Sequence, residues 1–349
     1  MSTQDLLTHP NESPPETLLR ILTGYWPAQA VYVAAKLGIA DLLQDGPQSG
    51  DALAQATRAH APSLTRLMRA LVGIGVCAED ADGRFTLTTL GACLQSEVPG
   101  SVRAAALMFG ETLYRAWGGL LHSVQTGEVA FTHAFAMPIY QYFAQHPEAA
   151  AIFNEAMIAL TTQVATAVVA AYDFSRFRTL VDVGGGHGTL AAAILKATPA
   201  LSGVVFDLPR VAEGAKKYIE AVGLTGRCTV VGGDFFESAP GGGDLYMLKS
   251  IIHAWDDERS VRILTNCHRA MAENGTLLLV ERVLPAQLSP TDTAQAVVLN
   301  DLNMLVTGGG YERTEAEFHT LFRAAGFRLT RLLSTQAIMG FSVIEGVRV

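Results

Sequence analysis

Short apolar runs alternate with amphipathic stretches through the C-terminal half of the chain. The runs are Thr179–Val183, Ser202–Phe206, Cys228–Val231, Leu245–Lys249 and Thr276–Val280. Between them, helical spacing of apolar residues covers Leu190–Ala197, Val211–Val222 and Glu258–Met271. This βαβ alternation predicts a parallel sheet with helices on both faces, an α/β doubly wound domain. A further helix is expected from Thr314 to Ala325, then two runs, Phe327–Leu333 and Ala337–Glu345, that suit a terminal hairpin.

The N-terminal half follows a different pattern. Thr17–Leu37 is apolar at helical spacing, with interruptions at Gly24 and Pro27 that predict a break there. So apolar a terminal helix packs in its own domain or against a second copy of the chain. Two short helices follow, Ser49–Ala56 and Ser63–Gly73, with Ser63 as the expected cap of the second. Val76–Asp80 and Arg84–Thr88 flank an Asp82-Gly83 turn and read as a hairpin. Helix, helix, hairpin is a winged-helix order. Val102–Ala170 is helix-rich, with a long helix expected from Phe153 to about Tyr172.

Composition narrows the function classes. The chain has 349 residues, 49% hydrophobic and 17% charged, enough for two cored domains. Its net charge of -8 argues against a nucleic-acid partner, and the wing carries Glu79, Asp80 and Asp82 beside the arginines Arg66 and Arg69. No run reaches the eighteen or so apolar residues of a membrane span, and Met1–Pro15 shows no secretory signal. A cytoplasmic protein with no membrane partner is expected. Cys77, Cys93, Cys228 and Cys267 form no CxxC pair, so reduced thiols are expected rather than a metal or redox centre. Residues such as Met108, Trp117, Phe131, Phe143, Phe153 and Met157 suffice to line an apolar pocket, though each one singly is more often core.

The candidate chemistry sits at the ends of the predicted strands, where open parallel sheets bind ligands. After Val183 come Gly184, Gly185, Gly186 and Gly188. A dinucleotide fingerprint needs glycine at the first, third and sixth positions, and the sixth position here is Thr189. The acid Asp182 beside this turn would repel a pyrophosphate and suits a ligand carrying an ammonium and a sulfonium. Asp207 ends the second strand, where a carboxylate can accept ribose hydroxyls. Asp234 follows the third, with Phe235 available to an adenine ring, and Glu281 ends the fifth.

These motifs resemble the S-adenosylmethionine-dependent small-molecule O-methyltransferases of the plant caffeate type and their bacterial natural-product relatives. The resemblance rests on Val181-Asp-Val-Gly-Gly-Gly-His-Gly188, Phe206-Asp-Leu-Pro209, Gly233-Asp-Phe-Phe236, His253-Ala-Trp-Asp-Asp-Glu258 and Gly310-Tyr-Glu-Arg-Thr314. It implies a Rossmann-like methyltransferase sheet with an N-terminal all-helical, winged-helix dimerisation domain. The corresponding boundaries are a disordered leader 1–15, a dimerisation domain 16–100, a helical linker 101–172 contributing to the acceptor pocket, and a catalytic domain 173–349. It implies S-adenosylmethionine as cofactor, S-adenosylhomocysteine as product, and a homodimer acting on a small hydroxylated aromatic or polycyclic acceptor. His253 would be the general base, oriented by Glu281 and Glu312. The cofactor would be held by Asp182, Gly184, Gly186, Asp207, Leu208, Asp234, Phe235, Lys249 and Trp255. Trp117, Phe153, Met157, Asn303 and Met304 would meet the acceptor. Asp256 and Asp257 fit helix capping better than a metal, and no metal is expected. His187 is expected at the loop surface. Two other readings stay open: a member of this fold that uses the cofactor for a non-methylating reaction, and a winged-helix regulator that binds a small ligand.

Overall fold

The computed structural model describes residues 12–288, 292–335 and 340–349. The leader expected over 1–15 lies outside them up to Asn11, as do Ala337 to Met339 of the last expected strand. The chain divides into two compact units, the first of residues 1–118 and 137–160, the second of 119–136 and 161–349.

In the first unit, Pro14–Thr23 and Tyr25–Leu37 are helices separated at Gly24. Pro27 does not interrupt: it is the third residue of its helix, where the missing N–H would have had no partner. Ser13 and Glu16 form a capping box at the start. The first helix buries no side chain, and Leu19 and Trp26 are 61% and 60% exposed. Helices Gly50–Thr57 and Ala61–Gly73 close a core of Ile39, Leu53, Leu64, Met68, Leu71 and Phe85. The second of these begins earlier than expected. His60 occupies the N-cap, and Ser63, one turn inside, faces its ring with Oγ 3.0 Å from Nδ1. Pro62 explains the shift, because proline favours the first turn itself rather than the position before a cap. Strands β1 (Gln48–Ser49), β2 (Cys77–Glu79) and β3 (Arg84–Leu87) form a small antiparallel sheet in the order β1-β3-β2. The Asp80 carboxylate accepts the N–H groups of Asp82 and Arg84 and so shapes the wing's turn.

Helix Pro147–Ala171 starts before Phe153 and runs for 25 residues. By length and composition it is the one described helix able to cross a membrane, although the sequence shows no unbroken apolar run. Its Val164, Ala165 and Val168 are buried in the core of the second unit.

That unit is built on β4 (Thr179–Val183), β5 (Ser202–Asp207), β6 (Cys228–Gly232), β7 (Leu245–Lys249), β8 (Thr276–Leu284), β9 (Arg313–Thr314), β10 (Phe327–Ser334) and β11 (Phe341–Arg348). The order is β10-β11-β8-β7-β4-β5-β6, with β9 beside β8. Strands β4 to β8 run parallel, while β11 is antiparallel to β8 and β10. The chain leaves β4 for β5 on one side and later reaches β7 on the other. This reversal opens a crevice at the carboxyl end of β4. One face of the sheet buries Leu180, Val205, Met247 and Val280, the other Val181, Val183, Leu248 and Phe322. The helix Asp292–Thr307 and the two-residue β9 have no counterpart in the sequence reading.

Candidate active site

Strand β4 delivers the chain into a turn where Gly184, Gly186 and Gly188 have φ of 70°, 58° and 79°. Side chains rarely adopt this left-handed region. A Cβ on Gly184 would also stand 2.5 Å from Ile251 Cδ1, whereas Gly186 faces open space. Asp207, at the end of β5, accepts the Gly186 N–H at 2.8 Å and the Leu208 N–H at 2.7 Å. Burial raises its carboxyl above the usual range despite these two donors. Asp182 lies under the turn, 2% exposed, and burial pushes it up to about 7 against the pull of Lys249. Lys249 is pushed down to about 8 by burial, with Glu281 opposing. Both project from one face, because Asp182 pairs with Met247, two residues before Lys249. Asp234 turns the chain after β6 by accepting the Phe236 N–H at 2.8 Å, and the rings of Phe235 and Trp255 meet edge-on at 6.3 Å.

Beyond β7 the chain is held by side chains from other elements. Ser250 takes φ of 54°, unusual for a residue with a side chain. The next two N–H groups, of Ile251 and Ile252, donate to Glu281 Oε1 at 2.9 and 2.8 Å. His253 then sits in a single turn of 3-10 helix. Its Nδ1 is 3.1 Å from Glu312 Oε1 and 3.6 Å from Glu281 Oε2. A carboxylate only accepts, so the Nδ1–H tautomer satisfies this geometry and leaves Nε2 with its lone pair. Burial favours neutral imidazole, but Glu281 and Glu312 outweigh it and hold His253 above its ordinary value. Glu281 is raised by burial, with His253 acting against it.

Glu312 is gripped from several directions. Its Oε1 also accepts from Asn300 Nδ2 at 2.6 Å and lies 3.6 Å from Arg282 Nη1, and its N–H donates to Asp301 Oδ1 at 2.7 Å. Arg313, 1% exposed, donates to the Ile252 and Trp255 carbonyls and to Asp257, tying the segment before β9 to the histidine turn. Asp256 caps helix Asp257–Ala270 by accepting the Arg259 N–H. His253, Glu281 and Glu312 each offer a ligand atom within 4.8 Å of the others, close enough for a metal ion. Arg282 already supplies the positive charge there, and we assign no metal. His187 is half-buried against Gly214, whose Cβ would meet its Nε2 at 2.7 Å, and burial lowers its pKa.

The second unit thus places Asp182, Gly184, Gly186, Asp207, Leu208, Asp234, Phe235, Lys249, Trp255 and His253 at or just beyond the carboxyl ends of β4 to β7, with Glu281 inside β8, which runs on to Leu284 rather than ending at the glutamate, and Glu312 in the segment before β9. Asn303 and Met304 lie on the same helix as Asn300, three and four residues on, and so share its face. Trp117, Phe153 and Met157 belong to the first unit, where Phe153 packs on Phe143 with centroids 4.6 Å apart. Sequence reasoning missed Arg282, Asn300, Asp301 and Arg313. Arg282 and Arg313 adjoin two of the chosen glutamates, a usable signal. Asn300 and Asp301 lie in a helix that the sequence reading lacked.

Sheet order, glycine turn and carboxylates at strand ends define an α/β enzyme built to hold a nucleoside-type cofactor. Residues 117–328 match the O-methyltransferase domain, and residues 19–97 match the O-methyltransferase dimerisation domain. The chain belongs to this O-methyltransferase family. It is 49% identical over 328 residues to the phenazine O-methyltransferase PhzM of Lysobacter antibioticus, covering 94% of each chain. The crystal structure of LaPhzM superposes with a TM-score of 0.92 at 48% identity, over 97% of this chain and all of that one. An O-methyltransferase from neocarzinostatin biosynthesis, solved with S-adenosylmethionine and 2-hydroxy-5-methyl naphthoic acid, is 33% identical with a TM-score of 0.79, over 95% and 98% of the two chains. The protein is an S-adenosylmethionine-dependent O-methyltransferase. The residues present fit that cofactor: Gly186 leaves backbone open to a ligand, and each oxygen of Asp207 keeps lone pairs beyond the one N–H it accepts.

Proposed function

We propose that the enzyme methylates a hydroxyl of a small aromatic or polycyclic metabolite, with His253 as general base. The observation that carries this reading is the engagement of His253 Nδ1 by two buried carboxylates, which keeps Nε2 free to accept a proton. The acceptor class follows the relatives, two of which act on or bind fused aromatic rings by name.

Asp182, Gly184, Gly186, Asp207, Leu208, Asp234, Phe235, Lys249 and Trp255 would hold the cofactor, with Asp207 on the ribose and Phe235 on the adenine. Bound S-adenosylmethionine supplies a methyl group on an electrophilic sulfonium. A phenol has a pKa near roughly 10 and is protonated at neutral pH. His253 Nε2 removes its proton as the oxygen gains the methyl group, while Glu281 and Glu312 stabilise the imidazolium. The methyl ether and S-adenosylhomocysteine leave, and the proton passes from His253 to solvent. Asn303 and Met304 of the second unit are proposed to meet the acceptor, and Trp117, Phe153 and Met157 are the acceptor-contacting residues proposed in the first.

The test combines cofactor-binding calorimetry with turnover against a panel of phenolic and fused-ring hydroxylated acceptors. Methyl ether formation, with weakened cofactor binding in Asp207→Asn, is the expected result. Methyl recovered on nitrogen or carbon would overturn the hydroxyl assignment. Tight cofactor binding with a hydroxylated, decarboxylated or cyclised product instead would favour the non-methylating reading.

The working form is proposed to be a homodimer joined through the first unit. The exposed apolar row of Leu19, Leu22 and Trp26, inside the matched dimerisation domain, with Leu18 just before it, supports it. Light scattering at micromolar concentration should give twice the mass of the 37.2 kDa chain, and a monomer would remove this part.

A further inference from the structure

Glu312 is asked to do something its own position does not guarantee. It must present one oxygen to His253 Nδ1, yet it stands in the irregular segment between the glycines Gly308 to Gly310 and the two-residue β9. Side-chain entropy would spread such a glutamate over several rotamers. The helix Asp292–Thr307 prevents this from two neighbouring positions. Asp301 takes the Glu312 N–H at 2.7 Å, and Asn300 Nδ2 donates to Oε1 at 2.6 Å, the same oxygen that faces His253 at 3.1 Å. The other oxygen, Oε2, is buried without a hydrogen-bond partner. The side-chain contacts of the carboxylate therefore converge on Oε1, and Asn300 makes the shortest of them.

We propose that Asn300 is a positioning residue for the methyl-transfer reaction, acting through Glu312 to set the orientation and basicity of His253. The proposal rests on the reading of His253 as the base. Asn300 has two effects. Its amide locks the Oε1 position, so the imidazole is held in the Nδ1–H tautomer. It also shares the carboxylate's charge, leaving less of it to stabilise imidazolium, and so keeps the base available to lower pH than Glu312 alone would allow. The other charged groups facing the histidine are Glu281 and Arg282 on β8, while Asp301 faces Glu312 from the helix. Arg282 lies 4.2 Å over the Phe341 ring and 3.6 Å from Glu312, a longer contact than the asparagine's. Loss of Asn300 is thus not made good by the arginine.

The experiment is Asn300→Leu, close in shape but without the donor, with Asn300→Ala as a second variant and thermal melts to confirm folding of both. Expected are a kcat lower by about three- to thirtyfold, an acceptor KM within about twofold, and an acid limb of the kcat profile moved up by roughly half a pH unit or more. Nitrogen-15 NMR of the resting enzyme should show His253 passing from the Nδ1–H form to a mixture of tautomers. In a Glu312→Gln background the same change should cost less than about twofold, since the two residues act as one unit. An unmoved acid limb, a change in KM alone, or fully additive losses with Glu312→Gln would each overturn the proposal. If His253→Ala left turnover intact, the base reading would fail first. If His253→Ala were inactive while Asn300→Leu behaved like wild type, this inference alone would fall.

Discussion

His253→Ala is expected to lower kcat for methyl transfer by about a hundredfold or more, with cofactor affinity nearly unchanged. The histidine stands alone as the imidazole next to Glu281 and Glu312 among the described residues, so no second imidazole is at hand to replace it. Its substitution also removes the imidazole N–H that faces Glu312 Oε1 at 3.1 Å and Glu281 Oε2 at 3.6 Å, leaving two buried carboxylates without that partner. The wild-type pH profile checks the same assignment. Glu281 and Glu312 raise the His253 pKa above its ordinary 6.5, although burial pulls the other way. Only neutral imidazole accepts a proton, so activity should be lost as pH falls through a value above 6.5, and the limb should be absent in His253→Ala. Retention of wild-type kcat in the variant would leave the enzyme class standing and remove His253 as its base.

Gly310→Ala should be nearly as damaging, although residue 310 carries no chemistry. A Cβ there would lie 2.0 Å from the His253 carbonyl oxygen and 2.8 Å from two backbone atoms of Ala254. These are main-chain atoms that cannot rotate aside. The added methyl must push the histidine turn away from the segment leading to Glu312, at the point where Tyr311 N–H donates to the His253 carbonyl at 2.9 Å. Overpacking of this kind costs about 1–3 kcal/mol. A displacement of an ångström at a catalytic pair can cost about a hundredfold in rate. The variant should therefore melt several degrees lower and lose about ten- to a hundredfold in kcat. A melting temperature and kcat both equal to wild type would show that the loop accommodates the methyl and that the close approach does not hold the pair.

The two predictions draw on different levels of information. His253 was legible from sequence because its motif, from His253 to Glu258, follows a predicted strand and carries its own helix cap in Asp256. The role of Gly310 was not, since nothing in a Gly308-Gly-Gly310 run tells which glycine touches backbone 57 residues earlier. The break between the first two helices shows the same division. Gly24 and Pro27 are equal candidates from residue type, and only the helix register shows that proline falls in the first turn, where it is harmless.

Sequence by itself determined the alternation of strands and helices, the left-handed glycine turn after β4, and the row of acids at the strand ends. Each is a local property, carried by hydrophobic period and by the few residues that tolerate a given turn. Tertiary structure alone decided that Glu312 lies nearer His253 than Glu281 does, that Asn300 and Arg282 converge on Glu312, and that Arg313 ties the segment carrying Glu312 to the histidine turn. These partners lie far apart in the chain and come from a helix and strand ends whose relative placement depends on sheet order and register. No period or spacing within the sequence encodes that placement, because it arises from which surfaces bury one another.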